Sequence, residues 1–146
     1  MPERHAASDP QDLVKEAARL IRQSRYLTAF TGAGISVESG IPAFRGPGGL
    51  WGRYDPRTLE ISYFLAHPDK AWPVIKEIFY DNFGAARPNR AHEVLAAWEA
   101  RGAGPDGGGG LLKVLITQNI DNLHYEAGSR RIVDFHGNSR LLLCLS

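Results

Sequence analysis

Residues 111–117, Leu-Leu-Lys-Val-Leu-Ile-Thr, are apolar at nearly every position and stop abruptly at Gln118-Asn119-Ile120-Asp121. A strand with no polar face has to be covered on both sides. That is the condition of a strand inside a parallel sheet, whose crossover helices pack on the two faces. Tyr26–Thr31 is a second strand candidate and runs straight into Gly32, and Arg131–Phe135 and Arg140–Leu145 are two more.

Helical segments lie between them. Asp9-Pro10-Gln11-Asp12 offers a capping side chain, a proline at the first helical position and an acid suited to the helix dipole. Leu13, Val14, Ala17, Leu20 and Ile21 then recur at helical spacing. Residues 58–84 read as helical and apolar, interrupted by Pro68 and Pro73. Asn89 caps a further helix whose stripe is Ala91, Val94, Leu95 and Trp98. Residues 102–110 hold six glycines in nine and read as a flexible surface loop. The expected architecture is α/β: a doubly wound, Rossmann-like parallel sheet with a helical excursion at about 58–84.

Composition narrows the function classes. With 146 residues the chain has the length of one domain, and 17 Lys+Arg against 16 Asp+Glu leave a formal charge of +1. That balance gives no general pull toward nucleic acid or an anionic membrane. The longest apolar runs, such as Leu141–Leu145, fall far short of the ~20 residues of a membrane span. The polar start Met1-Pro2-Glu3-Arg4-His5 leads into no apolar signal region, and the single cysteine, Cys144, excludes an internal disulfide. The cytoplasm is the expected compartment.

Three segments carry candidate chemistry. Thr31-Gly32-Ala33-Gly34-Ile35-Ser36 closes a strand, where ligands of open α/β sheets bind and where bare backbone can approach a pyrophosphate. The third glycine of a dinucleotide fingerprint would fall at Val37, and alone this pattern is more often just a tight turn. Gln118, Asn119 and Asp121 crowd amide and carboxylate groups onto another strand end, suited to a carboxamide or ribose hydroxyls, or to helix capping and an Asx turn. Asp134-Phe135-His136-Gly137 puts an imidazole at a third strand end, the right group for a general base near neutral pH. A phosphate loop is excluded because no glycine precedes a lysine. A nucleophile elbow is excluded because Glu38 comes after Gly34-Ile35-Ser36-Val37. His92 and His124 fall on helical segments and are read as structural.

Taken together and in order, Gly32–Gly46 followed by Gly49-Leu50-Trp51, then Gln118-Asn119-Ile120-Asp121, then Phe135-His136-Gly137, resemble the sirtuin family of NAD-dependent protein deacylases over about residues 12–144. The resemblance implies a Rossmann-like domain plus a small domain built of a helical module and a structural zinc module. It implies that NAD and an acetyl-lysine protein or peptide meet in the cleft and yield nicotinamide, free lysine and O-acetyl-ADP-ribose. By the same resemblance Gly32, Ala33 and Gly34 cradle the pyrophosphate, and Ser36, Pro42, Phe44 and Arg45 belong to the cofactor-binding segment. Gln118 and Asn119 contact the ribose, Ile120 and Asp121 hold the carboxamide, and His136 is the general base.

Departures from the family pattern bear on activity. Ala43 stands where many members have Asp. Members that prefer succinyl or malonyl groups carry Tyr-x-x-Arg, where this chain has Tyr80-Asp81-Asn82-Phe83, so a neutral acyl group is expected. Leu143-Cys144-Leu145-Ser146 resembles the first half of a Cys-x-x-Cys zinc knuckle, with Cys144 the one ligand present, so the zinc-binding small domain is expected to be incomplete. Residues 1–146 thus read as the N-terminal part of a sirtuin-type catalytic domain, expected not to turn over alone, with Leu141–Leu143 beside an unpaired sheet edge. A non-catalytic binder of NAD or ADP-ribose and a mono-ADP-ribosyltransferase are the alternatives.

Overall fold

The computed structural model describes residues 9–101, 110–141 and 144. The chain opens with helix α1 (Pro10–Gln23), where Asp9 Oδ1 accepts the Gln11 N–H at 2.9 Å and Pro10 takes the first helical position. Strand β1 (Leu27–Thr31) comes next, then a 3₁₀ turn over Ala33–Ser39. That turn ends on Gly40, whose φ of 89° is left-handed and open to glycine at no steric cost.

The helical excursion spans a 3₁₀ turn (Pro56–Leu59), α2 (Ile61–Ala66), α3 (Pro68–Lys76), a wide π turn (Glu77–Asp81) and α4 (Asn82–Ala85). Pro68 starts α3 and does not break a helix. Pro73 lies inside α3, where it has no N–H to donate, and the wide turn begins within one helical turn of it. Helix α5 (Arg90–Ala100), strand β2 (Leu112–Thr117), the short α6 (Leu123–Glu126) and β3 (Ile132–Asp134) complete the order.

The three strands form one sheet in the order β1-β2-β3, parallel throughout. Strand β2 is central, with Leu112 and Leu115 fully buried, as its unbroken apolar character requires. Glu99 at the end of α5 accepts the backbone N–H groups of Arg130 (3.0 Å) and Arg131 (2.9 Å), fixing the entry to β3.

Some expectations change. The α1 stripe is not covered: Leu13, Val14 and Leu20 are exposed, because nothing among the described residues packs over them. In α5, Ala91 is exposed and the buried positions are His92 and Glu99, since this face meets polar partners and not an apolar wall. The strand expected over Arg140–Leu145 does not form at its described positions. Arg140 sits in a turn, and Leu141 and Cys144 lie outside strands, while Leu142, Leu143 and Leu145 fall outside the described residues. The glycine loop also lies outside them, apart from Gly110. No helix among the described residues is long and apolar enough to cross a membrane.

Candidate active site

Sheet register builds the site. Thr31 pairs with Thr117, and Thr117 with Asp134, so all three strands end level. The residues just past those ends, Gly32, Gln118 and Phe135-His136, therefore emerge on the C-terminal edge of the sheet, the edge at which open α/β sheets take ligands. Two bonds carry the ladder one step further: Gln118 N–H to the Thr31 carbonyl at 3.0 Å and Phe135 N–H to the Thr117 carbonyl at 2.9 Å.

A cavity of about 240 Å³ opens there. Ala33 and Ser36 line it from the 3₁₀ turn, Pro42 and Phe44 from the next loop, Gln118, Asn119, Ile120 and Asp121 from beyond β2, and His136 from beyond β3. Ile41, Leu50, Phe79 and Phe83 close its apolar side. Phe44 stands 5.1 Å from Trp51 and 6.4 Å from Phe79, centroid to centroid, making an aromatic wall. The loop holding Phe44 doubles back on itself through Leu50 N–H to the Ala43 carbonyl (2.9 Å) and Trp51 N–H to the Phe44 carbonyl (3.0 Å). Gly49 is required at that crossing, because a Cβ there would come within 2.9 Å of Arg45 backbone carbon.

The polar side is cross-braced. Ser36 Oγ donates to Asp121 Oδ2 at 2.6 Å, and Asp121 Oδ1 accepts the Leu123 N–H at 3.0 Å. Asn119 Nδ2 donates to the Gly32 carbonyl and to Ser36 Oγ, both at 3.1 Å. Asp121 is only 6% exposed. Its capping of the α6 backbone coexists with its place in the cavity, since an ionised carboxylate has about four lone-pair sites.

Gly32 and Gly34 are not demanded by the protein itself. A Cβ on Gly34 would meet nothing within 4 Å, and one on Gly32 only Gln118 Nε2 at 3.9 Å. Their lack of side chains leaves the backbone reachable from outside. Gly34 lies inside a seven-residue 3₁₀ turn, Ala33–Ser39, that Gly32 opens and Gly40 closes. Arg45 is exposed and, like Gly32 and Gly34, is not part of the cavity wall. Cys144 is exposed, and among the described residues no group of three or more His, Cys, Asp and Glu is placed to hold a metal.

A second, apolar cavity of about 410 Å³ lies against the first, lined by Leu59, Ile61, Phe64, Trp72, Ile75 and Tyr80 and sharing Phe79 and Ile120 with it.

Residues 32–146 match the Sir2 family. The chain belongs to the Sir2 family. It is 46% identical over 132 residues to an NAD-dependent protein deacetylase of Sulfolobus acidocaldarius, covering 90% of this chain and 49% of that protein. To an NAD-dependent protein deacylase of Aeropyrum pernix it is 47% identical over 128 residues, covering 87% and 49%. Among solved structures, a mutant Sir2 homologue in complex with ADP-ribose superposes with a TM-score of 0.76 at 42% identity, covering 86% of this chain and 47% of that one. A Sir2 structure with a p53 peptide and NAD⁺ superposes with a TM-score of 0.72 at 40% identity, covering 86% and 46%. The chain spans about half the length of the curated Sir2 relatives it matches.

Beneath this Sir2 crevice lies a pair that helical placement alone marks as merely structural. His92 and His124 are 0% and 2% exposed, with ring centroids 4.7 Å apart. Burial holds both imidazoles below the usual range; for His124, His92 beside it adds to the effect, Asp121 opposes it, and the result is about 4. Asn89 ties the start of α5 to the turn, donating from Nδ2 to the Ile35 carbonyl (2.7 Å) and to Ser39 Oγ (2.9 Å). The spacing Asn89-x-x-His92 is a usable signal, because it places a ring nitrogen on the cap's own backbone N–H, an arrangement the structure contains at 3.3 Å.

Proposed function

We propose that this cavity holds the nicotinamide and its ribose of NAD beside an acetyl-lysine side chain, in a protein-lysine deacetylase that yields nicotinamide, free lysine and O-acetyl-ADP-ribose. The observation that carries the reading is that Asn119 and Asp121 from the end of β2 and His136 from the end of β3 line one cavity beside an accessible glycine backbone. The names of the Sulfolobus and Aeropyrum relatives support the same chemistry.

Each residue has a role suited to its surroundings. Gly32, Ala33 and Gly34 offer bare backbone N–H groups to the pyrophosphate. Gln118 and Asn119 face ribose hydroxyls, and the Asp121 carboxylate accepts from the carboxamide while Ile120 packs on the ring. When bound, NAD supplies the electrophilic ribose carbon that the lysine amide oxygen attacks. His136 is exposed at the cavity rim, free of the brace that engages Asp121, and takes the ribose hydroxyl proton. Phe44, with Trp51 and Phe79, excludes water from the reacting centre.

A neutral acyl group fits best. Phe83 lines the first cavity and Tyr80 the second, and among the described residues no Lys or Arg lines either, so a succinyl carboxylate would meet no cation. Zinc is not fitted by the described residues, because Cys144 offers one thiolate where a tetrahedral site takes four ligands. The cytoplasm is the compartment proposed for this activity, a lone thiol being at home in a reducing environment.

Joining residues 1–146 to the remaining half of the Sulfolobus relative and incubating this chimera with NAD and an acetyl-lysine peptide, with mass-spectrometric analysis of all products, tests the proposal, since the chain spans about half of that relative and is expected not to turn over alone. Nicotinamide, deacetylated peptide and O-acetyl-ADP-ribose in equal amounts support it. An ADP-ribose increment on protein without deacetylation identifies a transferase. Saturable NAD binding without any product identifies a non-catalytic binder.

A further inference from the structure

Two buried imidazoles are costly to place under a crevice unless their polar atoms are used. His92 Nδ1 accepts the Asn89 backbone N–H at 3.3 Å, so in the neutral ring the proton sits on Nε2, an atom that is buried without a partner. The adjacent His124 has its own unpartnered buried nitrogen, Nδ1. The single N–H of a neutral imidazole is best placed where an acceptor meets it, not on a buried nitrogen without a partner. His124 therefore carries its proton on Nε2, which lies 2.9 Å from Thr31 Oγ1.

The remaining hydrogens then run in one direction. Thr31 Oγ1, accepting from His124, spends its own hydrogen on Thr117 Oγ1 at 2.9 Å. Thr117 Oγ1 also accepts the Asn119 backbone N–H at 3.1 Å. Both threonines are the last residues of their strands and directly precede Gly32 and Gln118. Asn119 in turn reaches back to the Gly32 carbonyl and Ser36 Oγ.

We propose that His124 is a positioning residue of the cofactor crevice: its Nε2–H orders the Thr31 and Thr117 hydroxyls into a clamp that fixes the Asn119 backbone. The consequence for cofactor binding rests on the NAD reading above; the clamp itself does not. His124 touches no reacting group. It acts through two hydroxyls on the residue whose amide faces the ribose.

Amide hydrogen exchange on the 146-residue chain, read by NMR, tests the clamp without any ligand. His124→Leu should speed exchange at the Asn119 N–H by about tenfold, while the Gln118 N–H, which bonds the Thr31 carbonyl, and the Leu115 N–H, which bonds the Arg131 carbonyl, stay within about twofold. His124→Gln, which keeps a side-chain N–H donor, should restore Asn119. Thr31→Val, close in shape but without the hydroxyl, should reproduce the selective loss and serves if the leucine variant does not fold. Nitrogen-15 spectra should show both rings protonated at Nε2. Unchanged Asn119 exchange in Thr31→Val, equal loosening at all three amides, or a proton on His124 Nδ1 overturns the proposal. In a parallel titration, His124→Leu should raise the Kd for NAD and leave that for an acetyl-lysine peptide unchanged. If the unaltered chain binds no NAD, the cofactor reading fails while exchange still decides the clamp.

Discussion

Ser36 Oγ and Asp121 Oδ2 lie 2.6 Å apart, joining the turn after the first strand to the loop after the second across 85 positions of sequence. The pair is largely buried, so the hydroxyl satisfies a carboxylate mostly withdrawn from water. Ser36→Ala leaves that oxygen with one donor fewer. The expected loss is about 1–3 kcal/mol of unfolding free energy, measured by urea denaturation at pH 7, and an unchanged midpoint would show the brace to be idle.

Gly34 separates a tight turn from a phosphate cradle. Its φ is not left-handed and a Cβ would meet nothing within 4 Å. Gly34→Ala should therefore leave the melting temperature unchanged or slightly raised, yet weaken NAD binding by about tenfold or more, since the methyl group occupies the space a pyrophosphate needs. Calorimetric titration checks this, and undiminished affinity would return Gly32-Ala33-Gly34 to the status of a turn.

His136 and His124 should behave as opposites. His136→Ala removes an exposed ring, so folding and NAD affinity should change little, while deacetylation by the chimera with the remaining half of the Sulfolobus relative falls by about 10²–10⁴-fold. Product counting by mass spectrometry gives the answer, and retention of most activity would remove His136 from the mechanism.

Acid should weaken the fold through His124. Its imidazole titrates near 4 in the folded chain, below the ordinary 6.5, because burial and His92 outweigh Asp121. The unfolded chain thus binds the extra proton first, so stability is full above about pH 6.5 and falls as pH drops from 6.5 toward 4. The loss from this group is on the order of 3 kcal/mol, with His92 adding in the same direction. Urea midpoints at pH 7, 5.5 and 4.5 should fall accordingly, and His124→Gln should flatten the profile. A parent profile already flat over that range would contradict the assignment.

The proposed preference for a neutral acyl group rests on the cavity walls and is read on the chimera with the remaining half of the Sulfolobus relative. Succinyl-lysine peptide should be processed with kcat/KM at least about tenfold below acetyl-lysine peptide, a desolvated carboxylate having no partner. Phe83→Arg should narrow or reverse that ratio; parity between the two peptides in the parent chimera would refute the reading.

Much of the fold is legible in sequence because it is local. Asp9, Pro10 and Asn89 cap through their own chemistry, and the apolar run 112–117 needs cover on both faces. The convergence of Gly32, Gln118 and His136 can be expected from strand ends in a parallel sheet. Cross-chain hydrogen bonding is not legible: nothing near His124 in sequence says that Thr31 and His92 will meet it, so two buried imidazoles look like ordinary helix residues. Solvent cover is equally hidden. Leu13, Val14 and Leu20 form a proper stripe, but periodicity does not say whether anything packs on it.

The central claim is that three level strand ends make one cofactor site. Titrating the isotope-labelled chain with NAD and tracking backbone amide shifts tests it most directly. The account predicts saturable shifts at Gly32–Ser36, Gln118–Asp121 and His136 that share a single Kd, with α1 silent. Shifts missing from any one of those three segments, or concentrated on α1, would contradict it.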